Sequence, residues 1–502
     1  MHGHDLTRGG LLARNVALNL AGWALPAVAA LIAVPLLVRG LGDARFGVLA
    51  LAWTALGYFS IVDLGMGRAV THAVAERTGQ GRESETGRVV RASLAVLVPL
   101  GVVAAAAMAL ATGWLTRDVL EIPAALLTET QAGFRVLAIA LPFVGIAAAL
   151  RGVLEATQRF GAVNAVRVPF GVVTFLGPVA ALPFSRSVVP AIVILTLSRI
   201  ALAIAYFAIC ARAIPGLASS AAGRADIRPL LRFGGWMTVS NVVSPLMHTF
   251  DRFVVAAALG IGTVTYYAAP NELVTKLWLF TAAIHPVFFS AIANTGARDG
   301  GRSVVLYDRM LRITLAGVFL PALLLVLLAP DVLRVWLGPA FVLNSTAVMQ
   351  VLAIAVFVNT LGQGGMTFIH ALGRPDVTGM YHLAQLPLYV GALWYLLPRF
   401  GLIGVAIAWA GRAIVDAWLL MLTAPALLPA ARGTTFRMLS STVASLVVLA
   451  AAAMLSESAS RFIVATLAVP AWMLIVWRWL LTPEERAFPK RLLTASWRPL
   501  RP

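Results

Sequence analysis

The sequence predicts an all-α polytopic membrane protein of about fourteen transmembrane helices, organised as two pseudo-symmetric six-helix lobes followed by two further C-terminal helices. Three observations carry this prediction. Hydrophobic residues fill 60% of the 502 positions, charged residues only 12%, and the mean hydropathy is +0.88. That composition is too apolar for a soluble chain. Apolar runs of membrane length recur from one end of the chain to the other. An offset of 218 residues also superposes Arg14 on Arg232, and LGDARFG (41–47) on LGIGTVT (259–265), with the same order of elements after each.

The expected spans are 15–38, 46–66, 92–112, 132–150, 164–184, 188–210, 234–258, 266–292, 307–328, 343–366, 377–397, 403–424, 437–455 and 461–481. MHGHDLTRGGLLARN leads directly into a long apolar run, which reads as a retained first helix rather than a cleaved signal. The first six spans make an N-terminal lobe, 1–212. A linker-like stretch containing IPGLASSAAGRADIRP, 213–233, follows and is expected in the cytoplasm. The next six spans make a C-terminal lobe, 234–430, and 431–502 holds the last two spans and a basic tail. A second echo pairs LSRIALAIAY (197–206) with AGRAIVDAWL (410–419), so Arg199 and Arg412 match in the sixth and twelfth spans. Such halves suit a cleft between them near the membrane midplane.

The net charge of +18 does not indicate nucleic acid, because the basic residues are spread between apolar segments instead of gathered on a solvated domain. They follow the positive-inside rule. With the N-terminus in the cytoplasm, 27 Lys or Arg fall inside, seven outside and five within spans, which places both termini in the cytoplasm. The basic runs 77–91 and 491–501 are then solvated or face lipid headgroups.

The stretch from Gly234 to Ile292 is the least comfortable in lipid. Its first segment gains about 4 kcal/mol from large apolar residues, whereas a charge near mid-membrane costs roughly 2.5–3.5 kcal/mol, and this segment carries both Asp251 and Arg252. Its polar residues therefore face protein or a water-filled cavity. Asn241, Ser244, His248 and Asp251/Arg252 recur every three to four residues and share one helix face. Asn271/Glu272, Thr275/Lys276 and His285 repeat the pattern in the second segment. A turn centred near Ile261 and Gly262 would bring Asp251 level with Glu272, and His248 level with Thr275.

Cations in both halves, Arg252, Lys276, Arg412, Arg199 and Arg135, would give such a cleft a positive wall suited to phosphate or pyrophosphate, with His248 and Asn241 beside it. Asp251, Glu272 and Asp416 are candidates for ion coupling. Asp63 is a further carboxylate near the cytoplasmic end of the second span, where a helix-end role competes with coupling. The plain alternative is internal pairing: Glu272 with Lys276 and Arg412 with Asp416 are spaced i, i+4. Enzymatic signatures are absent: there is no HExxH, GxSxG or Walker motif. His2 and His4 do not make a metal site, Cys210 stands alone, and no cofactor is indicated.

The opening RNVALNLAGWALPAVAALIAVPLLVRGLGDARFGVLALAWTALGYFSIVDLGMGRAVTHAVAE resembles the start of bacterial polysaccharide or O-antigen flippases, within the multidrug/oligosaccharidyl-lipid/polysaccharide exporter superfamily. FGGWMTVSNVVSPLMHTFDRFVVAAALG, followed by YYAAPNELVTK, resembles the opening of their second half. The resemblance implies a two-lobed, V-shaped transporter of the bacterial inner membrane. Its substrate would be an undecaprenyl-diphosphate-linked oligosaccharide, moved from the cytoplasmic to the periplasmic leaflet by alternating access. A proton or sodium gradient would drive it, amid membrane lipids and alongside glycan polymerase or assembly proteins. The competing expectations are a multidrug or cation antiporter of the same superfamily, a membrane glycan polymerase or ligase, and a non-transporting scaffold.

Overall fold

The structure, a computed structural model, describes residues 9–58, 65–120, 122–214, 224–296, 299–481 and 486. These residues build an all-helical fold. Among the described residues, twelve helices are long and apolar enough to cross a membrane. One of them, Pro375–Leu427, holds two predicted spans, and the shorter apolar stretch Ala44–Gly57 supplies the second span, which together account for the predicted fourteen. By contacts the chain divides into two compact units. One is Asn15–Val242; the other is Val243–Pro502 with the start of the chain to Arg14.

In the first unit, α1 (Gly9–Leu41) runs through two prolines, Pro26 and Pro35, and ends at Gly42, where φ is +78°. The chain reverses there into α2 (Asp43–Tyr58). The C-terminal half of α1 packs by apolar contact, burying Ala33, Leu37 and Leu41 with Leu49, Phe134 and Ile192. The described part of the second span is α2, and a separate helix, α3 (Met66–Gly79), begins where the predicted span ends, with its buried Met66, Val70 and Val74 on the side of α6. Beyond it come α4 (Thr86–Trp114), α5 (Ala124–Ala138), α6 (Leu141–Ala156), α7 (Phe160–Ala181) and α8 (Val188–Ala213). α5 and α6 together make one candidate span, and Ser187 caps α8 by accepting from the Val189 N–H.

α9 (Arg224–Leu259) takes up the second half of the predicted linker, and residues on either side of Val242/Val243 belong to different units. It ends at Gly260, where φ is +88°. Gly42 and Gly260 lie 218 residues apart, so the offset read from sequence falls on the same left-handed turn in both halves. A side chain would strain either position. α10 (Ile261–Val274) then passes through a 3₁₀ turn, Thr275–Leu277, into α11 (Trp278–Thr295).

The second unit continues with α12 (Gly300–Leu327), the short α13 (Ala329–Leu337) and α14 (Pro339–Ala371). α15 (Pro375–Leu427) has 53 residues and would measure about 80 Å if straight, far more than a bilayer. It breaks at Gly401, where φ is +57° and ψ is −137°. Its two arms run antiparallel: the Tyr381 and Thr423 hydroxyls lie 2.9 Å apart, and Gln385 Nε2 donates to Asp416 Oδ1 at 2.9 Å. The last spans, α16 (Arg432–Ala453) and α17 (Ser458–Ile475), are fastened to this unit by polar contacts. Trp472 Nε1 donates to the Ala316 carbonyl at 3.0 Å, and Arg461 Nη2 reaches Asp331 Oδ2 at 3.0 Å.

The break at Gly401 occupies backbone space that other residues adopt at a cost of about 1–3 kcal/mol. Gly401→Ala is therefore expected to lower the thermal midpoint of the detergent-purified protein. Gly391→Ala, at a helical position where an added methyl meets open space, should not. Equal midpoints for the two variants would contradict the strained-turn assignment.

Candidate functional site

The second unit concentrates its buried polar side chains around one carboxylate. Asp251 on α9 is 0% exposed. It accepts the Tyr267 hydroxyl of α10 at 2.5 Å and the Arg252 backbone N–H at 2.8 Å. Arg252 and Arg412 are the cations close enough to act on it electrostatically. Tyr267 is also fully buried. A carboxylate removed from water needs such donors, because an unpaired buried charge is expensive.

Arg412 on the second arm of α15 is the next element of the cluster. Its guanidinium lies 5.7 Å from the Tyr389 ring centre and 5.6 Å from that of Trp409, while its Nε makes no hydrogen bond. The i, i+4 pairing with Asp416 allowed by sequence does not form; no ion pair links them among the described residues. Asp416 turns to the first arm instead, accepting from Gln385 and facing His382 Nε2 at 3.7 Å. Arg412 thus acts on Asp251 and sits one turn from Asp416 without pairing with it. Tyr389 beside Arg412 is buried, as is Asn271 on α10, and neither the Tyr389 hydroxyl nor the Asn271 amide has a hydrogen-bond partner among the described residues.

The other sequence candidates fall elsewhere. Asp251 does not face Glu272, because the turn lies at Gly260 and Tyr267 takes that place. Glu272 is exposed and pairs with Lys276 at 2.5 Å across the α10 end and the 3₁₀ turn, with side chains 58% and 67% exposed. Asn241 is exposed on α9. His248 lies within α9, but its side chain is outside the described residues, as is Asp63 altogether. In the first unit Arg199 donates from Nη2 to Thr174 Oγ1 at 3.3 Å, and Arg135 is exposed in the last turn of α5.

The echo between Arg199 and Arg412 has a structural counterpart. Each lies on the second arm of a hairpin and meets a residue on the first arm, Thr174 in one unit and Tyr389, 215 positions later, in the other. Sequence reasoning missed Tyr267, His382, Gln385 and Tyr389. Tyr267 follows Asp251 by sixteen positions. Correct placement of the turn would have pointed to it.

Tyr267→Phe removes the hydroxyl but leaves the buried carboxylate, and is expected to cost about 1–3 kcal/mol of stability. Asp251→Asn combined with Tyr267→Phe should cost less than the two single changes added. Additive losses in thermal or denaturant unfolding would show that the two side chains are not coupled.

Comparison with known proteins agrees with this architecture. The model of the family described as polysaccharide biosynthesis protein matches residues 12–294. A candidate O-antigen transporter of Shigella flexneri is 31% identical over 425 residues, covering 81% of this chain and 96% of that protein. Among solved structures, an outward-facing multidrug-resistance MATE transporter of the MOP superfamily superposes with a TM-score of 0.74 at 16% identity, over 88% of this chain and 98% of its own. A MOP superfamily transporter from Pyrococcus furiosus, for which a reversed polarity of the binding pocket is described, gives 0.76 at 17% identity, over 86% and 99%. These structures establish the shared fold. On the family match over more than half its length and the 31% identity over four-fifths of it, the chain, a multi-pass membrane protein with the fold of MOP transporters, belongs to the polysaccharide biosynthesis protein family.

Proposed function

We propose that this membrane transporter is a flippase that moves an undecaprenyl-diphosphate-linked oligosaccharide from the cytoplasmic to the periplasmic leaflet by alternating access. The observation that carries the proposal is the 31% identity with a candidate O-antigen transporter over 96% of that protein's length. In this reading the protein resides in the bacterial inner membrane with both termini in the cytoplasm, and hands its glycan to polymerase or assembly proteins.

The geometry supports recognition of an anion in the second unit. Arg252 and Arg412 each keep an Nε without a hydrogen-bond partner, and arginine can grip phosphate oxygens through two parallel bonds. Lys276, Arg199 and Arg135, with Asn241 and His248, complete the proposed substrate-binding set. Asp251 and Asp416, both shielded from solvent, suit coupling to a proton or sodium gradient. Glu272 and Asp63 are the remaining coupling candidates, Glu272 being engaged by Lys276.

The MATE-like fold favours a second reading, a drug or cation antiporter. Depletion separates the two: a flippase leaves its glycan-lipid on the cytoplasmic leaflet, whereas an antiporter leaves glycan export intact and changes drug efflux. Arg252→Ala and Lys276→Ala are expected to lower glycan export in a strain lacking the natural copy, each by about tenfold, the effect of losing one charge-assisted contact, with normal amounts of folded protein. Undiminished export by both variants would remove these cations from the site.

A further inference from the structure

Two arginines of the first unit stand out because no carboxylate pairs with them among the described residues. α7 and α8 contain no Asp or Glu, yet they carry Arg167 and Arg199 inside membrane-crossing helices. Among the described residues neither arginine forms an ion pair. The closest charges acting on Arg167 are Arg151 and Glu155, which pair with each other at 3.5 Å. The corresponding hairpin of the second unit carries its own acid, Asp416, beside Arg412.

Arg167 is held in a fixed orientation. Its Nη2 donates to Asn164 Oδ1 at 2.6 Å and, on α1, to the Asn19 carbonyl at 3.1 Å and Asn19 Oδ1 at 3.2 Å. Asn164 Nδ2 in turn donates to Asn19 Oδ1 at 3.3 Å. Gly22 leaves the room this requires, since a methyl there would come within 2.4 Å of the guanidinium. Nε of Arg167 has no hydrogen-bond partner, and the Trp23 ring, 44% exposed, lies 5.1 Å from the guanidinium carbon. Fastening α1 would need only the two asparagines. A guanidinium with one corner saturated and no ion-pair partner among the described residues is prepared for an added oxyanion.

Depth gives the arrangement a direction. Arg167 lies seven residues into α7, about 10 Å along its axis, and Thr174, which Arg199 contacts, lies about 10 Å further. A lipid diphosphate enters a membrane protein at headgroup depth. We infer that Arg167, aimed by Asn19 and Asn164 and flanked by Trp23, is an anion-binding residue that receives the diphosphate of the lipid-linked substrate before Arg199 does. The inference rests on the flippase reading for the identity of the substrate, while the chemistry it assigns is that of any isoprenyl-linked diphosphate.

The test is calorimetric titration of the full-length protein in neutral detergent with geranylgeranyl diphosphate. The natural chain should bind it. Arg167→Gln should weaken binding by about tenfold or more at an unchanged thermal midpoint. Asn19→Ala, which keeps the charge but frees its orientation, and Trp23→Ala should each weaken it by a smaller factor. If Arg167→Gln does not fold, Arg167→Lys decides: retained charge without the planar fork should weaken binding about fivefold, and natural affinity would overturn the inference. Absence of binding to the natural chain, unchanged affinity in Arg167→Gln, or equal competition by phosphatidylglycerol micelles would also overturn it, the last by assigning the arginine to ordinary lipid phosphate. Arg167-dependent binding without glycan-lipid translocation in proteoliposomes would refute the flippase reading and leave the site standing. Normal glycan export by Arg167→Gln would do the reverse.

Discussion

The hydrogen bond from Tyr267 to Asp251 lets a membrane helix carry a fully buried carboxylate. Without it, α9 would place an ionised group in an apolar interior with the Arg252 backbone N–H as its donor. The bond also joins α9 to α10 across the turn at Gly260 and holds the carboxylate where Arg252 and Arg412 act on it. Arg412 in turn lies one helical turn from Asp416, which the other arm of α15 engages through Gln385 and His382. The polar interior of the second unit is therefore a connected arrangement in which removal of one member exposes the others to an unmet cost.

The repeat shows that this arrangement is not demanded by the fold. Ala33 occupies the place that matches Asp251 at the offset of 218, and it is buried within the apolar core of the first unit. The same helical position can thus be filled by a small apolar side chain and still support the architecture. The charge in the second half needs an explanation outside the scaffold. The two hairpins differ: the second carries a buried acid, Asp416, beside Arg412, whereas α7 and α8 carry none, and Arg167 and Arg199 form no ion pair among the described residues.

Much of the fold was legible because the membrane imposes lengths and periods that sequence records directly. The fourteen spans and the 218-residue offset follow from hydropathy and the order of elements. α3 lies beyond the predicted second span because it mixes apolar and charged residues, which lowers its hydropathy. Local pairs were legible when both partners were exposed, as with Glu272 and Lys276. The equally spaced Arg412 and Asp416 behaved differently because buried partners on the facing arm compete for the carboxylate. Such partners depend on hairpin register, and a shift of the turn by one or two residues was enough to exchange Glu272 for Tyr267.

The central claim is that a chain with this fold carries a lipid diphosphate rather than a drug cation. The most direct measurement is leaflet-resolved translocation of undecaprenyl-diphosphate-linked oligosaccharide by the purified protein in proteoliposomes, with a lipophilic drug cation tested in parallel vesicles. The account predicts that the glycan-lipid appears in the opposite leaflet, faster under an imposed proton or sodium gradient, while the drug cation does not move. Gradient-driven movement of the cation with no translocation of the glycan-lipid would contradict it.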